Sequence, residues 1–265
     1  MPSDPNARMR VRIAFFLLFV FIIGAAVGAW FVADLGRLQD NIAAREGQAA
    51  LQGIADPSQI DEALRQHPTN KFLRMMAMAT KAADDANAAI DKLSDDIEPP
   101  AIARASNLGA AGRSDLEALR RDLKVAETNA TTFMPRFVAV LKTERDQVEK
   151  YAVSLHLGKD ASNRLLDNID KRHAEITSLI SRILPARAEF YRAYQNYLGV
   201  LIGEFGGYKV VNGQFIFPLQ RTVDRYNVAA QAMSAGAKSV NELDETRKGL
   251  LQSQRERWQQ FVRNE

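Results

Sequence analysis

Residues 70–96 read NKFLRMMAMATKAADDANAAIDKLSDD, and in this stretch Phe72, Met76, Ala79, Ala83, Ala86, Ile90 and Leu93, continued by Ile97, recur at alternating steps of four and three. Such a period puts every one of them on one side of an α-helix, whereas in a strand they would scatter over both faces. The pattern predicts a helix over 70–96. Thr69 or Asn70 can cap its start, and Pro99 and Pro100 end it by removing donors and restricting the preceding residue.

Working outward, the same spacing recurs through most of the chain. A short helix is expected over 57–66, with Asp56 as its cap and Pro57 in its first position. Downstream, Ser114 and Glu117 have the spacing of a capping box, followed by a seam of Leu116, Leu119, Leu123, Ala126, Ala130, Phe133, Phe137, Val140, Val148, Tyr151 and Leu155. Its phase survives Pro135, so one kinked helix is expected, with Gly158 as its stop. A further helix is predicted over 160–204, bent at Pro185, with His173 on its apolar seam. After Gly206 and Gly207, residues 208–211 and 214–217 flank Asn212 and Gly213, the strongest short hairpin signal. A last stripe runs through Leu219, Val223, Tyr226, Ala230, Met233, Ala237 and Val240. These elements together predict an all-α fold, an elongated antiparallel helical bundle with one small β-hairpin at 208–217, built as one domain over 34–265.

The bundle is preceded by IAFFLLFVFIIGAAVGAWFVA, residues 13–33, which carries no charge. A helix of this length spans roughly 31 Å, the thickness of a bilayer hydrocarbon core. Arg8, Arg10 and Arg12 stand ahead of it, and only Arg37 and Arg45 follow closely. The positive-inside rule therefore expects a cytoplasmic tail over 1–12, a single-pass signal anchor in the inner (cytoplasmic) membrane, and a domain in the periplasm or extracytoplasmic space. Cleavage near Val27 to Ala29, as a signal peptide, is the competing reading, and it delivers the same domain to the same side. Gly24 and Gly28 form a small-xxx-small pair through which two membrane helices could associate.

Composition and motifs narrow the chemistry. The chain has 265 residues and no cysteine, which removes thiol catalysis, thiolate metal sites and lipidation at cysteine. Without the three N-terminal arginines and Asp4, the remainder holds 32 basic and 31 acidic side chains, a balance that argues against nucleic-acid binding. His67, His156 and His173 are not spaced as a ligand pair, and no HExxH, Walker, GxSxG or dinucleotide fingerprint occurs. Gly109, Gly112, Arg113 and Ser114 lack the spacing and the lysine of a phosphate loop. The pairs Asp84, Asp85 and Asp95, Asp96 read as solvated faces or helix ends. No catalytic, metal or cofactor residues are assigned, and no cofactor is expected.

Aromatic residues concentrate unusually: Phe190, Tyr191, Tyr194, Tyr197, Phe205, Tyr208, Phe215, Phe217 and Tyr226 fall within 37 residues. With Arg187, Arg192 and Lys209 nearby, this end is the candidate docking surface, since tyrosine brings contact area and a polar tip at small entropy cost. The candidate residues are Arg187, Tyr191, Arg192, Tyr194, Tyr197, Tyr208, Phe215, Phe217 and Tyr226. The alternative use of the same rings is to seal the bundle and pack the hairpin onto it.

In the same region, Phe215, Ile216, Phe217 and Pro218, followed by Val223, Asp224, Arg225, Tyr226 and Asn227, resemble the C-terminal part of a family of bacterial envelope lipoproteins of unknown function. The likeness covers little more than 15 residues, and this chain has no cysteine to lipidate, so the apolar helix would replace the lipid anchor. The resemblance implies an envelope location. The expected function is therefore that of a membrane-anchored, non-enzymatic envelope protein. Its bundle docks a protein or cell-envelope partner or self-associates, and its contacts include the lipid bilayer. A sensory, ligand-binding bundle that signals through a partner is the alternative, and a hydrolase with dispersed carboxylates has no positive feature.

Overall fold

The computed structural model describes residues 60–98 and 108–263. The expected membrane span at 13–33, the tail at 1–12 and the pair Gly24 and Gly28 lie outside the described residues. Among the described residues no helix is long and apolar enough to cross a membrane. The chain is mostly helical: α1 (Ile60–Gln66), α2 (Lys71–Asp95), α3 (Arg113–Ser154), α4 (Lys159–Gly203) and α5 (Gln220–Arg263), with strands β1 (Lys209–Val211) and β2 (Gln214–Ile216) between the last two helices.

Local chemistry sets the helix ends, in two places differently from expectation. Asn70 caps α2, its Oδ1 accepting from the Leu73 amide at 3.1 Å. At α3 the cap is Gly112 rather than Ser114. The Gly112 carbonyl accepts from Leu116, and the Asp115 carboxylate reaches back to the Gly112 amide at 3.0 Å. Asp115 thus takes the role foreseen for Glu117, which instead pairs with Arg113 at 3.0 Å. The stop of α3 is His156, with φ of 52°, not Gly158. The amides of His156 and Leu157 bond to the carbonyls of Val153 and Ala152, closing a Schellman turn. Gly158 is then free to cap α4, where its carbonyl accepts from Ser162.

Pro135 and Pro185 both lie inside continuous helices, as the unbroken seam phase requires. Next to Pro135, the hydroxyls of Thr128, Thr131 and Thr132 bond back to carbonyls of the preceding turn, a pattern that accommodates a bend.

The described residues divide into two compact units, with the division of α3 falling at Pro135. The first comprises residues 93–98, 108–134 and 180–245. In it the early part of α3 runs antiparallel to the late part of α4, which in turn runs antiparallel to α5; Leu116, Leu119, Leu123, Phe133, Leu198 and Leu201 are buried there. The second comprises residues 60–92, 135–179 and 246–263. Its core joins Ile60, Leu73, Met75, Met76 and Ala79 to Val148, Ala152 and Leu155 of α3 and Leu165, Leu166 and Ile169 of α4.

The α5 stripe follows the expected one along the helix, with Val223, Tyr226, Ala230, Ala237 and Val240 half-buried, while its first member, Leu219, lies ahead of the helix. Thr222, Ala229 and Met233 are buried, whereas Leu219 is exposed. Two contacts hold this face against α4: Thr222 Oγ1 donates to Glu204 Oε1 at 3.2 Å, and Gly236 lies directly against Phe190.

Candidate functional site

The hairpin follows directly from its turn. Asn212 and Gly213 have φ of 51° and 76°, the pair of positive values a type I′ turn demands and whose twist matches the flanking strands. The register is Lys209 to Ile216, Val210 to Phe215 and Val211 to Gln214, antiparallel. Alternation then puts Tyr208, Val210, Phe215 and Phe217 on one face of the ribbon and Lys209, Val211, Gln214 and Ile216 on the other.

The first face is fastened to the helices by a continuous run of rings. Tyr208 meets Phe205, Phe215 and Phe217 edge-on, with centroids 6.1, 5.1 and 5.6 Å away. Phe215 and Phe217 lie 5.9 and 5.1 Å from Tyr226 of α5. From Tyr226 the run passes to Tyr197 at 5.3 Å, then to Tyr194 at 6.3 Å and Phe190 at 5.9 Å. The hydroxyls of Tyr197 and Tyr226 share a hydrogen bond of 3.1 Å. Burial pushes the Tyr194 phenol up to about 12, and pushes Tyr197 up as well, where the hydrogen bond to Tyr226 adds to it.

The remaining candidates work inward, away from the ribbon. Tyr191 donates to the Ile97 carbonyl at 2.9 Å, and burial raises its phenol to about 12. Arg187 bonds Glu98 at 3.0 Å. Arg192 bonds Glu127 at 3.0 Å, and Gln195 donates to the same carboxylate at 2.9 Å. The Gln195 bond, with those of Lys124 and Arg192, holds the Glu127 carboxyl below its usual range against the opposing effect of burial.

The structure therefore brings Tyr194, Tyr197, Tyr208, Phe215, Phe217 and Tyr226 into one assembly and sends Arg187, Tyr191 and Arg192 to other tasks. Comparison with family models, curated proteins and solved structures finds no match. The surface left open at the ribbon consists of side chains that sequence reasoning did not select: Phe205, Val210, Val211, Ile216 and Leu219, each between 38% and 51% exposed. Their signal was the strand alternation, which assigns Val211 and Ile216 to the face opposite Phe215.

A second polar assembly sits in the other unit. Glu144, fully buried, accepts from Arg172 Nη2, and His173 Nε2 lies 3.0 Å from its other oxygen. Burial would raise this carboxyl, but the Arg172 charge and the bond and charge of His173 outweigh it and hold the group below its usual range. His173, expected as a buried imidazole with a hydrogen-bond partner, is partly buried and has Glu144 as that partner. Among the described residues, no group of three or more His, Asp or Glu side chains converges as metal ligands.

Proposed function

We propose that this chain is a membrane-anchored, non-enzymatic envelope protein whose helical bundle docks a protein or other cell-envelope component through its hairpin end. The apolar run at 13–33 supports the anchor, and the arginines ahead of it support a cytoplasmic N-terminus with residues 34–265 in the periplasm or extracytoplasmic space. The likeness of residues 215–227 to envelope lipoproteins supports the same location.

The observation behind docking is the outward face of the ribbon. Val211 and Ile216 are diagonal neighbours there, and each leaves about half of its surface open. Apolar area gathered at one place and held toward water favours a site that something else covers. The ring assembly behind it supplies rigidity, because a ribbon of three-residue strands is marginal alone. Function in this reading is placement and contact, with no bond made or broken.

The test joins topology to contact. A C-terminal alkaline phosphatase fusion should be active and a green fluorescent protein fusion dark; the reverse overturns the compartment. A photoreactive residue at 216 should give an adduct in intact cells, whereas one at 153, where Val153 is 71% exposed, should not. Equal labelling at both positions overturns docking at the hairpin. Thermal stabilisation by a small metabolite would favour the sensory alternative.

A further inference from the structure

We propose that the hairpin end is a membrane-interface wedge: β1, β2, Phe205 and Leu219 enter the headgroup layer of an anionic bilayer, and Lys209, Arg221 and Arg225 engage the lipid phosphates. This rests on the envelope-docking reading and names the partner of that same surface.

Charge comes first. Between residues 205 and 222 the only ionisable side chains besides Tyr208 are Lys209 and Arg221. Lys209, Arg221 and Arg225 are all exposed. Among the described residues none of the three appears in an ion pair; the neighbouring carboxylates of Asp224 and Glu204 accept from the neutral donors Gln220, at 2.8 Å, and Thr222. Arg221 and Arg225 share one face of α5 at a spacing of four, and Lys209 shares the outer ribbon face with Val211 and Ile216. Lys209, with no ion-pair partner among the described residues, stands beside Val211 and Ile216. With the exposed Arg221 and Arg225 at the start of α5, it matches an anionic interface, where each Lys or Arg strengthens binding and apolar groups enter the acyl boundary.

Area comes second. Five side chains at these exposures offer roughly 400 Å² spread over both faces of the ribbon, so a single partner surface meets less than half of what one partner gives to a stable protein interface. A lipid surface needs neither the larger area nor a matching contour, and it offers phosphates to all three cations at once.

The absence of cysteine makes the test clean. Full-length Ile216→Cys and Val153→Cys chains, each labelled with an environment-sensitive fluorophore, are reconstituted into vesicles of phosphatidylcholine alone or mixed with phosphatidylglycerol. The label at 216 should become apolar and be quenched by spin-labelled lipid in the anionic vesicles only, and added salt should reverse it, while the label at 153 stays aqueous. Neutralising one cation, as in Lys209→Gln or Arg225→Gln, should lower the inserted-to-free ratio about fivefold. A label at 216 that stays aqueous in anionic vesicles overturns the wedge and leaves docking to a protein standing if the cellular adduct persists. Shielding that instead grows with protein concentration in lipid-free detergent assigns the surface to a second copy and also overturns it. A chain that does not float with either vesicle overturns both the wedge and the membrane-anchored reading.

Discussion

At the scale of single residues, the two acids that matter most are those the apolar seam conceals. Glu144 is buried with Arg172 and His173 against it, so removing it strands a guanidinium away from water. Glu144→Ala should cost about 3–5 kcal/mol in urea unfolding, whereas Glu144→Leu combined with Arg172→Met should recover most of the loss, because an apolar pair of similar volume has no charge to desolvate. Asn87 presents the opposite case: it is 2% exposed, and among the described residues neither its amide oxygen nor its nitrogen has a hydrogen-bond partner. Asn87→Leu keeps the number of side-chain heavy atoms and should raise stability by about 1–2 kcal/mol, read as a higher urea midpoint at unchanged slope. Neither position was legible in advance. A pattern of threes and fours marks where apolar residues lie, and Glu127 and Glu144 enter the buried face only because Arg192, Gln195, Arg172 and His173 arrive from another helix to meet them.

At the scale of elements, α4 and α5 approach closely where glycine permits it. A Cβ built on Gly236 would stand 3.0 Å from the Phe190 Cα, a backbone atom that cannot step aside cheaply. Gly236→Ala should therefore destabilise by about 1–2 kcal/mol by thermal melt, the overlap outweighing the roughly 1 kcal/mol that alanine gains in helix propensity. Much at this scale was readable from sequence. Seam phase carried α3 through Pro135, and Asn212 with Gly213 fixed the hairpin and its register. The caps were harder: Gly112 and Gly158 look like breakers or stops, and only the backbone bonds show each opening a helix, while His156 in the left-handed region has no distinctive sequence mark. The ring cluster was found but its direction was not. A tyrosine-rich stretch reads alike whether its rings seal an interior or face a partner, and here Tyr191, Tyr194, Tyr197 and Phe217 are buried, leaving the aliphatic back of the ribbon as open surface.

At the scale of the whole molecule, buried ionisable groups set the pH limits of stability. Glu127 and Glu144 have carboxyls depressed in the fold, so their contribution is complete above the unfolded value of about 4.3 and is lost as pH falls through the folded values. Tyr191 and Tyr194 are raised to about 12; their contribution is complete below about pH 10 and lost as pH climbs toward 12. Absorbance of tyrosinate near 295 nm should therefore rise in two phases, with the buried phenols ionising late and together with loss of circular dichroism; a single early phase near pH 10 would contradict their burial. The paired acids also govern what motions remain. Glu127 meets Arg192 and Gln195, and Glu144 meets Arg172 and His173, so α3 and α4 are keyed to each other in each unit like wards in a lock. Within either unit, sliding α3 past α4 by one helical turn, about 5.4 Å, would pull that unit's carboxylate off its arginine. Each unit thus carries its own latch against axial slippage of its helices, one carboxylate gripped from the neighbouring helix.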